Sequence, residues 1–574
     1  MSQKTDTSFF PSRVVISNIE QIQSRRSVLK WLLTPLFSCI ALCIGTPAQT
    51  FTVVASFNGT NGAKPLAALV RGWDGNFYGP TTQGGTYSGG TVFKVTPQDT
   101  LTAIYDFCAQ FNCPDGREID SQMIEATNGN FYGTTTFGGI NNNYGTVYKI
   151  TPGGTLTTIY KFCSQMNCSD GSNPYGGIIQ AKDGNFYGTT NAGGDDTCHA
   201  PYGCGTVYKL TPAGVLTTLY RFHSTDGQLP FSGLVQGTDG NFYGTTGYGG
   251  TYGWGTVFRI TPNGHYKALY SFCAQKNCAD GSLAYGVLTQ ASDGNFYGMT
   301  ETGGTLGNYG TVFKITPNGV LTTLHMFQGG PDGGSPLGND ALVQATDGNF
   351  YGATEGTVFK MTFDGTVTPL VVFGSQNTDY GNYPSAVIQS TDGNFYGTTQ
   401  TGGDYNNGMI FRVSVGLAPF VEMQPTSAKV GAKVLVLGNK LTGTTSVSFN
   451  GTQAAFFVTS DTEIRATVPS GAKTGSVTVT TPNGMLTSNK TFLVIPLITS
   501  FSPTSGPVGT QVAITGSGLL QTTKVIFGGN KSASFNVNSD SQVTAIVPVG
   551  AKTGPIAITT VGGTASKGTF TVTP

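Results

Sequence analysis

Asp239-Gly240-Asn241-Phe242-Tyr243-Gly244-Thr245-Thr246 is the stretch whose reading decides the fold. Its core, Asn-Phe-Tyr-Gly, recurs seven times, from Asn76, Asn130, Asn185, Asn241, Asn295, Asn349 and Asn394, at spacings of 54, 55, 56, 54, 54 and 45 residues. A fixed period of this size marks a propeller, solenoid or array rather than one irregular domain. Each copy reads as four short strands, with the fifth as example. Strand a is Gly286 to Ala291, the Asp293-Gly294 turn follows, and strand b is Asn295 to Thr300. A glycine-rich loop leads to strand c, Gly310 to Thr316; Pro317-Asn318-Gly319 turns the chain into strand d, Val320 to Phe327. Aspartate–glycine turns supply the positive φ of a tight hairpin, and alternating apolar residues between turns point to antiparallel strands.

Four strands per repeat and seven repeats predict an all-β protein with a seven-bladed β-propeller. The seventh copy lacks its own strand d, whereas Thr50 to Phe57 is an orphan strand of that type before the first copy. The expectation is that the N-terminal strand completes the last blade and removes an open edge. In such a fold the a–b and c–d turns share one face, and the long b–c and d–a loops share the other. Variable loops on a rigid scaffold are where binding groups usually sit. The sixth copy departs from the rest, because Thr354-Glu355-Gly356-Thr357 omits the glycine-rich b–c loop.

The composition agrees. Only 10% of the 574 residues are charged, and there are 83 glycines; ordinary domains carry about 25% charge. Thirty basic and thirty acidic residues cancel, so the footprint of a nucleic-acid binder is missing and no nucleic-acid partner is expected. Strand c carries a basic residue in every copy (Lys94, Lys149, Lys209, Arg259, Lys314, Lys360, Arg412), and six a–b turns carry Asp. Intra-blade ion pairs are the plain reading of this pattern; an anion-binding ring is the sharper one.

Cysteines and histidines bound the chemistry. Cys108 and Cys113, Cys163 and Cys168, and Cys273 and Cys278 stand five apart in equivalent loops, and Cys198 and Cys204 form a fourth local pair. In an exported chain these read as four disulfides. The four histidines, His199, His223, His265 and His325, fall at unrelated positions, so no metal site, cofactor or catalytic residue is assigned. Carboxylates on the loop face include Glu118, Asp195, Asp196, Glu301 and Asp404. The same face holds Tyr87, Phe137, Tyr144, Tyr202, Tyr248, Tyr252, Trp254, Tyr309 and Tyr405, aromatic rings among Asn, Thr and Gly that suit stacking on sugars. Tyr144, Trp254 and Tyr309 all precede the Gly that opens strand c, a recurrence that equally suits packing between blades.

Outside the repeats, Ser24-Arg25-Arg26-Ser27-Val28-Leu29-Lys30 precedes an apolar run from Trp31 to Ile44. It resembles a twin-arginine signal peptide with Val28 in place of Phe, which leaves the ordinary secretory route open. About 14 apolar residues are short of the ~20 that span a bilayer. Cleavage near Thr46-Pro47-Ala48 is expected, and membrane contact only through an uncleaved signal. After Val415 two copies of a ~79-residue unit follow; Val468-Pro469-Ser470-Gly471-Ala472-Lys473-Thr474-Gly475 matches Val547-Pro548-Val549-Gly550-Ala551-Lys552-Thr553-Gly554. Their alternating strands predict two immunoglobulin-like sandwiches.

The run from Pro503 to Leu519, with its Gly-Pro-x-Gly-Thr core, resembles IPT/TIG domains, a family of structural or protein-binding modules. The repeats resemble the GloVer tandem repeats of bacterial "choice-of-anchor" exported proteins. That resemblance implies a secreted or surface protein and supplies no catalytic residues. The expected organisation is a signal peptide at 1–48, the propeller at 49–415 and Ig-like domains at 416–495 and 496–574. The expected location is periplasm, cell surface or exterior, with release or non-covalent retention because no anchoring segment precedes Pro574. The expected role is non-enzymatic recognition or adhesion, the propeller face binding a glycan or an envelope protein and the Ig-like domains serving as spacers, with Tyr87, Tyr144, Tyr202, Tyr248, Tyr252, Trp254, Tyr309 and Tyr405 as the binding candidates. A carbohydrate-active hydrolase or lyase, and a structural surface component, are the alternatives.

Overall fold

The computed structural model describes residues 49–139, 144–195, 198, 202–336, 341–374 and 381–574. The expected export signal, Asp196 and His199 lie outside the described residues. The fold is all-β, and the repeat region is propeller-like: seven four-stranded antiparallel sheets follow one another along the chain. In the fourth repeat the strands are Val235–Gln236, Phe242–Thr246, Thr256–Ile260 and Tyr266–Ser271. The N-terminal strand Thr50–Ser56 pairs with Met409–Ser414 and supplies the fourth strand of the last sheet, as the missing strand d required.

Each residue of the repeated motif has a distinct task. Asp239 Oδ1 accepts from Asn241 N–H at 3.1 Å, and Oδ2 accepts from Asn241 Nδ2 at 2.7 Å and from Tyr243 OH at 2.8 Å. Desolvation pushes the Asp239 carboxyl up, but these hydrogen bonds outweigh it and hold the group below the usual carboxylate range. Gly240 takes φ +84°, which an L side chain adopts only with strain. Gly244 leaves room for the strand-c aromatic, since a Cβ there would stand 2.7 Å from Phe258 Cζ. Lys209 and Lys360 pair with Asp183 and Asp347 at 3.1 and 3.0 Å, so the basic ring forms close ion pairs with the turn in two repeats.

The motif tyrosine and phenylalanine also join the sheets. Tyr78 lies against Phe131, Tyr132 against Phe186, Tyr187 against Phe242, Tyr243 against Phe296, Tyr297 against Phe350 and Tyr351 against Phe395. Tyr396 of the last repeat returns to Phe77 of the first at 4.4 Å, closing the circuit. Such ring pairs add about 0.5–1.5 kcal/mol each beyond their buried area.

Strand a is shorter than its sequence suggests: only Thr289–Gln290 pair with strand b in the fifth repeat, against the expected six residues. The residues before it serve the neighbouring sheet instead, and Gly286 O accepts from Thr245 Oγ1 at 3.2 Å. The strand-a glutamine links adjacent turns. Gln290 Oε1 accepts from Thr238 N–H of the preceding repeat at 2.9 Å, while its Nε2 donates to Gly294 O of its own turn at 3.0 Å. Gln180, Gln236, Gln344 and Gln389 accept in the same way, and Glu125 does so from Trp73 N–H.

The four expected disulfides are formed. In the fifth repeat's loop, buried Asp280 organises the chain, accepting from Tyr270 OH at 2.8 Å and from Ala274 N–H at 2.9 Å. Asp226 does the same in the cysteine-free fourth repeat, from Tyr220 OH at 2.6 Å and His223 N–H at 2.9 Å. The disulfide therefore reinforces a loop that its aspartate already shapes.

Two further all-β units follow, each around its own apolar core: two four-stranded sheets and a two-stranded one with the core from Val421 to Val494 in the first, and a four-stranded and a five-stranded sheet with the core from Ile498 to Phe570 in the second. The first docks on the turn face of the repeats, a contact that reading it as a spacer did not anticipate. Arg71 Nη2 donates to Gly438 O at 2.8 Å, Phe420 N–H to Thr391 O at 2.9 Å, and Thr462 Oγ1 to Asp74 O at 3.3 Å. The Asn439 amide, oriented to satisfy both its atoms, accepts from Asp392 N–H at 3.0 Å. Among the described residues no helix is long and apolar enough to cross a membrane.

Candidate functional site

The b–c loop holds nine to fifteen residues in six repeats and two, Glu355 and Gly356, in the sixth. A uniform scaffold with one loop removed leaves a notch. It is a cleft of about 320 Å³ on the loop face, lined by Tyr309, Gly329, Gly330, Gly333, Gly334, Ser335, Glu355, Gly356, Asn382 and Tyr383. Tyr309 comes from the fifth repeat's b–c loop and Tyr383 from the segment leading into the seventh repeat's strand a. Backbone bonds hold these walls: Ser335 N–H donates to Tyr309 O at 2.7 Å, Glu355 N–H to Gly334 O at 3.2 Å, and Tyr383 N–H to Glu355 O at 3.0 Å.

Glycines shape the interior. A Cβ on Gly334 would stand 2.9 Å from the Tyr309 Cβ, and one on Gly329 the same distance from its Cζ, so the tyrosine beds on bare backbone. A Cβ on Gly356 would meet nothing within 4 Å; that position faces open space.

Beside the notch, half-buried rings run along the inner loops of the third to fifth repeats. Tyr175 lies 5.5 Å from Phe231, Phe231 lies 4.7 Å from Tyr285, and Tyr285 lies 6.2 Å from Tyr248. Carboxyls flank both ends. Desolvation raises the Asp120 carboxyl above its ordinary range, against hydrogen bonds from Thr136 Oγ1 at 2.7 Å and Thr82 Oγ1 at 3.2 Å. Desolvation likewise raises Glu301, and the charge of Glu355 raises it further. Tyr285 is raised by desolvation, by Tyr248 and by the charge of Glu301, so Glu301 acts on the ring series as Glu355 acts on Glu301. Planar rings with flanking acids can stack on flat apolar faces, accept from hydroxyls and attract cations.

The sequence candidates divide. Tyr309 lines the notch and Tyr248 ends the ring series. Tyr144 is half-buried against the core between the second and third repeats. Tyr87 and Tyr405 are exposed on the b–c loops of the first and seventh repeats, Tyr252 and Trp254 share that of the fourth, and none of the four makes a ring-to-ring contact among the described residues; Tyr202 is exposed on the third repeat's loop. Phe137 lies under the Arg117 guanidinium at 5.1 Å. The shared position of Tyr144, Trp254 and Tyr309 marks a link between repeats, since each carbonyl accepts from the next repeat's backbone, at 2.9, 3.2 and 2.7 Å. Sequence reasoning missed Tyr175, Phe231, Tyr285, Asp120 and Tyr383. Aligning Asn173-Pro174-Tyr175, Leu229-Pro230-Phe231 and Leu283-Ala284-Tyr285 would have found the three rings.

The Gloeobacter/Verrucomicrobia repeat matches in four overlapping stretches, residues 43–198, 103–289, 164–356 and 274–458, and the IPT/TIG domain matches residues 496–572. No curated protein matches the sequence. Among solved structures, virginiamycin B lyase from Staphylococcus aureus is 12% identical, covering 64% of this chain and 99% of its own, with a TM-score of 0.43. A fungal alcohol oxidase of the AA5 family is 13% identical over 92% of this chain and 99% of its own, at 0.41. A surface glycan-binding protein from Prevotella bryantii is 16% identical over 27% of this chain and 39% of its own, at 0.21. At these scores none of the three bears on what this chain binds.

Proposed function

The chain belongs to the Gloeobacter/Verrucomicrobia repeat family, and we propose that it is an exported glycan-recognition protein that binds through the notch of its sixth repeat. In this reading residues 1–48 are an export signal and 49–415 a closed seven-bladed β-propeller. Residues 416–495 and 496–574 are Ig-like domains, the second of them the matched IPT/TIG domain. The observation that carries the reading is the notch itself: two exposed tyrosines, Glu355 and Asn382 around a glycine bed, where the other six repeats place a loop. Rings offer sugar faces a stacking surface, and the amide and carboxylate offer hydroxyls hydrogen bonds. Docking of the first C-terminal unit on the turn face supports presentation of the opposite face.

The test is a glycan array on the oxidised chain from Gln49 onward, alongside its Gly356→Leu variant. Gly356 does not have positive φ and faces open space, so leucine fills the notch without strain. Binding by the parent and at least tenfold weaker binding by the variant, at an unchanged melting temperature, is the expected result. A silent array, or equal binding by both, refutes the reading.

A second reading rests on Glu301, a carboxyl raised by desolvation and by the charge of neighbouring Glu355. A raised carboxyl beside a second one is the kind of pair that glycoside hydrolysis uses, the raised one as general acid. Release of reducing ends in the array wells, lost in Glu301→Gln, would establish that reading in place of simple recognition.

A further inference from the structure

Resting on the glycan reading of the notch, the geometry points to one class of ligand: we propose that the notch takes a saccharide bearing a free, protonated amine, as in a de-N-acetylated amino-sugar polymer. Charge is the first ground. Ten of the described residues line the cleft, and among these Glu355 is the one charged side chain. Glu355 is exposed at the tip of the two-residue hairpin. Glu301 stands close enough for the two carboxyls to repel, and among the described residues no Lys, Arg or His lies within 4 Å of either. The chain elsewhere does pair its acids: Asp183, Asp347 and Glu463 each meet a cation at 3.1, 3.0 and 2.9 Å. Among the described residues, the Glu355 of the notch and its neighbour Glu301 are left without a paired cation.

The aromatic walls are the second ground. Tyr309 is 42% exposed and Tyr383 36%, beside that uncompensated charge. The face of an aromatic ring attracts an ammonium group, and a carboxylate adds a charge-assisted hydrogen bond. A neutral acetamido sugar uses the rings and leaves the carboxyl repulsion in place. An amino sugar uses the rings and relieves the repulsion. Size is the third ground. A cleft of about 320 Å³ lies at the small end of ligand pockets and suits one or two sugar rings rather than a folded protein surface. An open cleft also lets a polymer enter along its length.

The test compares glucosamine hexamer with N-acetylglucosamine hexamer by calorimetry on the oxidised chain from Gln49 onward. The measurement is made at pH 6, below the ordinary range of an aliphatic amine. The expected result is at least tenfold tighter binding of the free-amine hexamer, shrinking to less than twofold in Glu355→Gln. Tyr309→Ala should weaken both hexamers together, which separates ring stacking from charge. Equal or tighter binding of the acetylated hexamer overturns the inference and leaves glycan recognition standing. The inference falls in the same way if neither hexamer binds while other array glycans do. Silence across the hexamers and the array removes both. A lysine hexamer bound as tightly as the sugar, and equally sensitive to Glu355→Gln, overturns the saccharide assignment and names a basic peptide in its place.

Discussion

The turn face and the loop face of the repeats are made by the same strands, yet they differ in what they repeat and where they break. On the turn face one hydrogen-bond exchange recurs between neighbours, from a turn N–H to the strand-a side chain of the next repeat. It breaks at one place, where Arg71 stands in the glutamine position and has no acceptor to offer. There the first C-terminal unit docks. On the loop face length varies freely between nine and fifteen residues, and the one radical departure, two residues, opens the notch. In each case the special feature sits where one copy leaves the pattern of the others. A repeat makes the scaffold; a single exception makes the site.

The largest expected effect that can break this comparison is at Arg71. Its guanidinium is desolvated, which lowers its affinity for its proton against the pull of Glu422, Asp392, Asp74 and Glu125. Arg71→Ala removes its hydrogen bond to Gly438 O and the cation that those carboxyls face, and losing a hydrogen bond made by a charged group costs about 1.5–3 kcal/mol. Denaturant melts should show that loss, and limited proteolysis should release the C-terminal units. An unchanged melt with an intact chain would mean that the docking does not depend on the broken exchange.

A smaller effect of opposite sign is expected at Glu125, which stands where five repeats have glutamine. Desolvation pushes its carboxyl up to about 8, and Asp74 adds to this, while Trp73 N–H and Arg71 oppose it. A folded value above the unfolded 4.5 means that the group withdraws stability as pH rises from about 4.5 to about 8. Glu125→Gln should therefore raise stability by about 1–2 kcal/mol at pH 8.5 and by little at pH 4.5, read from melts at both values. Gln also supplies the donor that Gln290 gives to its own turn. A gain equal at both pH values would exclude titration as the cause and leave the donor.

The smallest effect lies between the faces. Tyr208 is fully buried and its hydroxyl has no hydrogen-bond partner among the described residues, where equivalent repeats have Phe258 and Phe313. Removing an unsatisfied buried hydroxyl should add about 1 kcal/mol, so Tyr208→Phe should raise the melting temperature slightly and leave glycan binding unchanged. Altered binding would show that the two faces are not energetically separate.

What the sequence made legible is what repeats locally. The period of the motif, the turn chemistry of Asp239-Gly240 and the five-residue cysteine spacing are carried by neighbours in the chain, and the strands and disulfides follow from them. The orphan strand at Thr50 was readable because a sheet lacking a partner demands one. The notch was half-legible: Glu355-Gly356 reads as a missing loop, but its walls come from Tyr309 and Tyr383, residues on either side of it in neighbouring repeats. The ring series was hidden for a similar reason, since each aromatic looks isolated until three repeats are laid side by side. Docking on the turn face left one trace, arginine for glutamine at position 71, and nothing local distinguishes that from drift.

The location of that docking has a mechanical consequence. The junction where the last repeat meets the first is the seam at which the chain's N-terminal strand is sewn to Met409–Ser414. The unit seated beside it leads, through Pro496, to the terminal domain. Tension applied to that domain passes through the first C-terminal unit before it reaches the repeats at Phe420, Asn439 and Arg71, which act as a clasp over the seam. The clasp shares with the seam any load that comes from the C-terminal side, and the face carrying the notch lies on the far side of both.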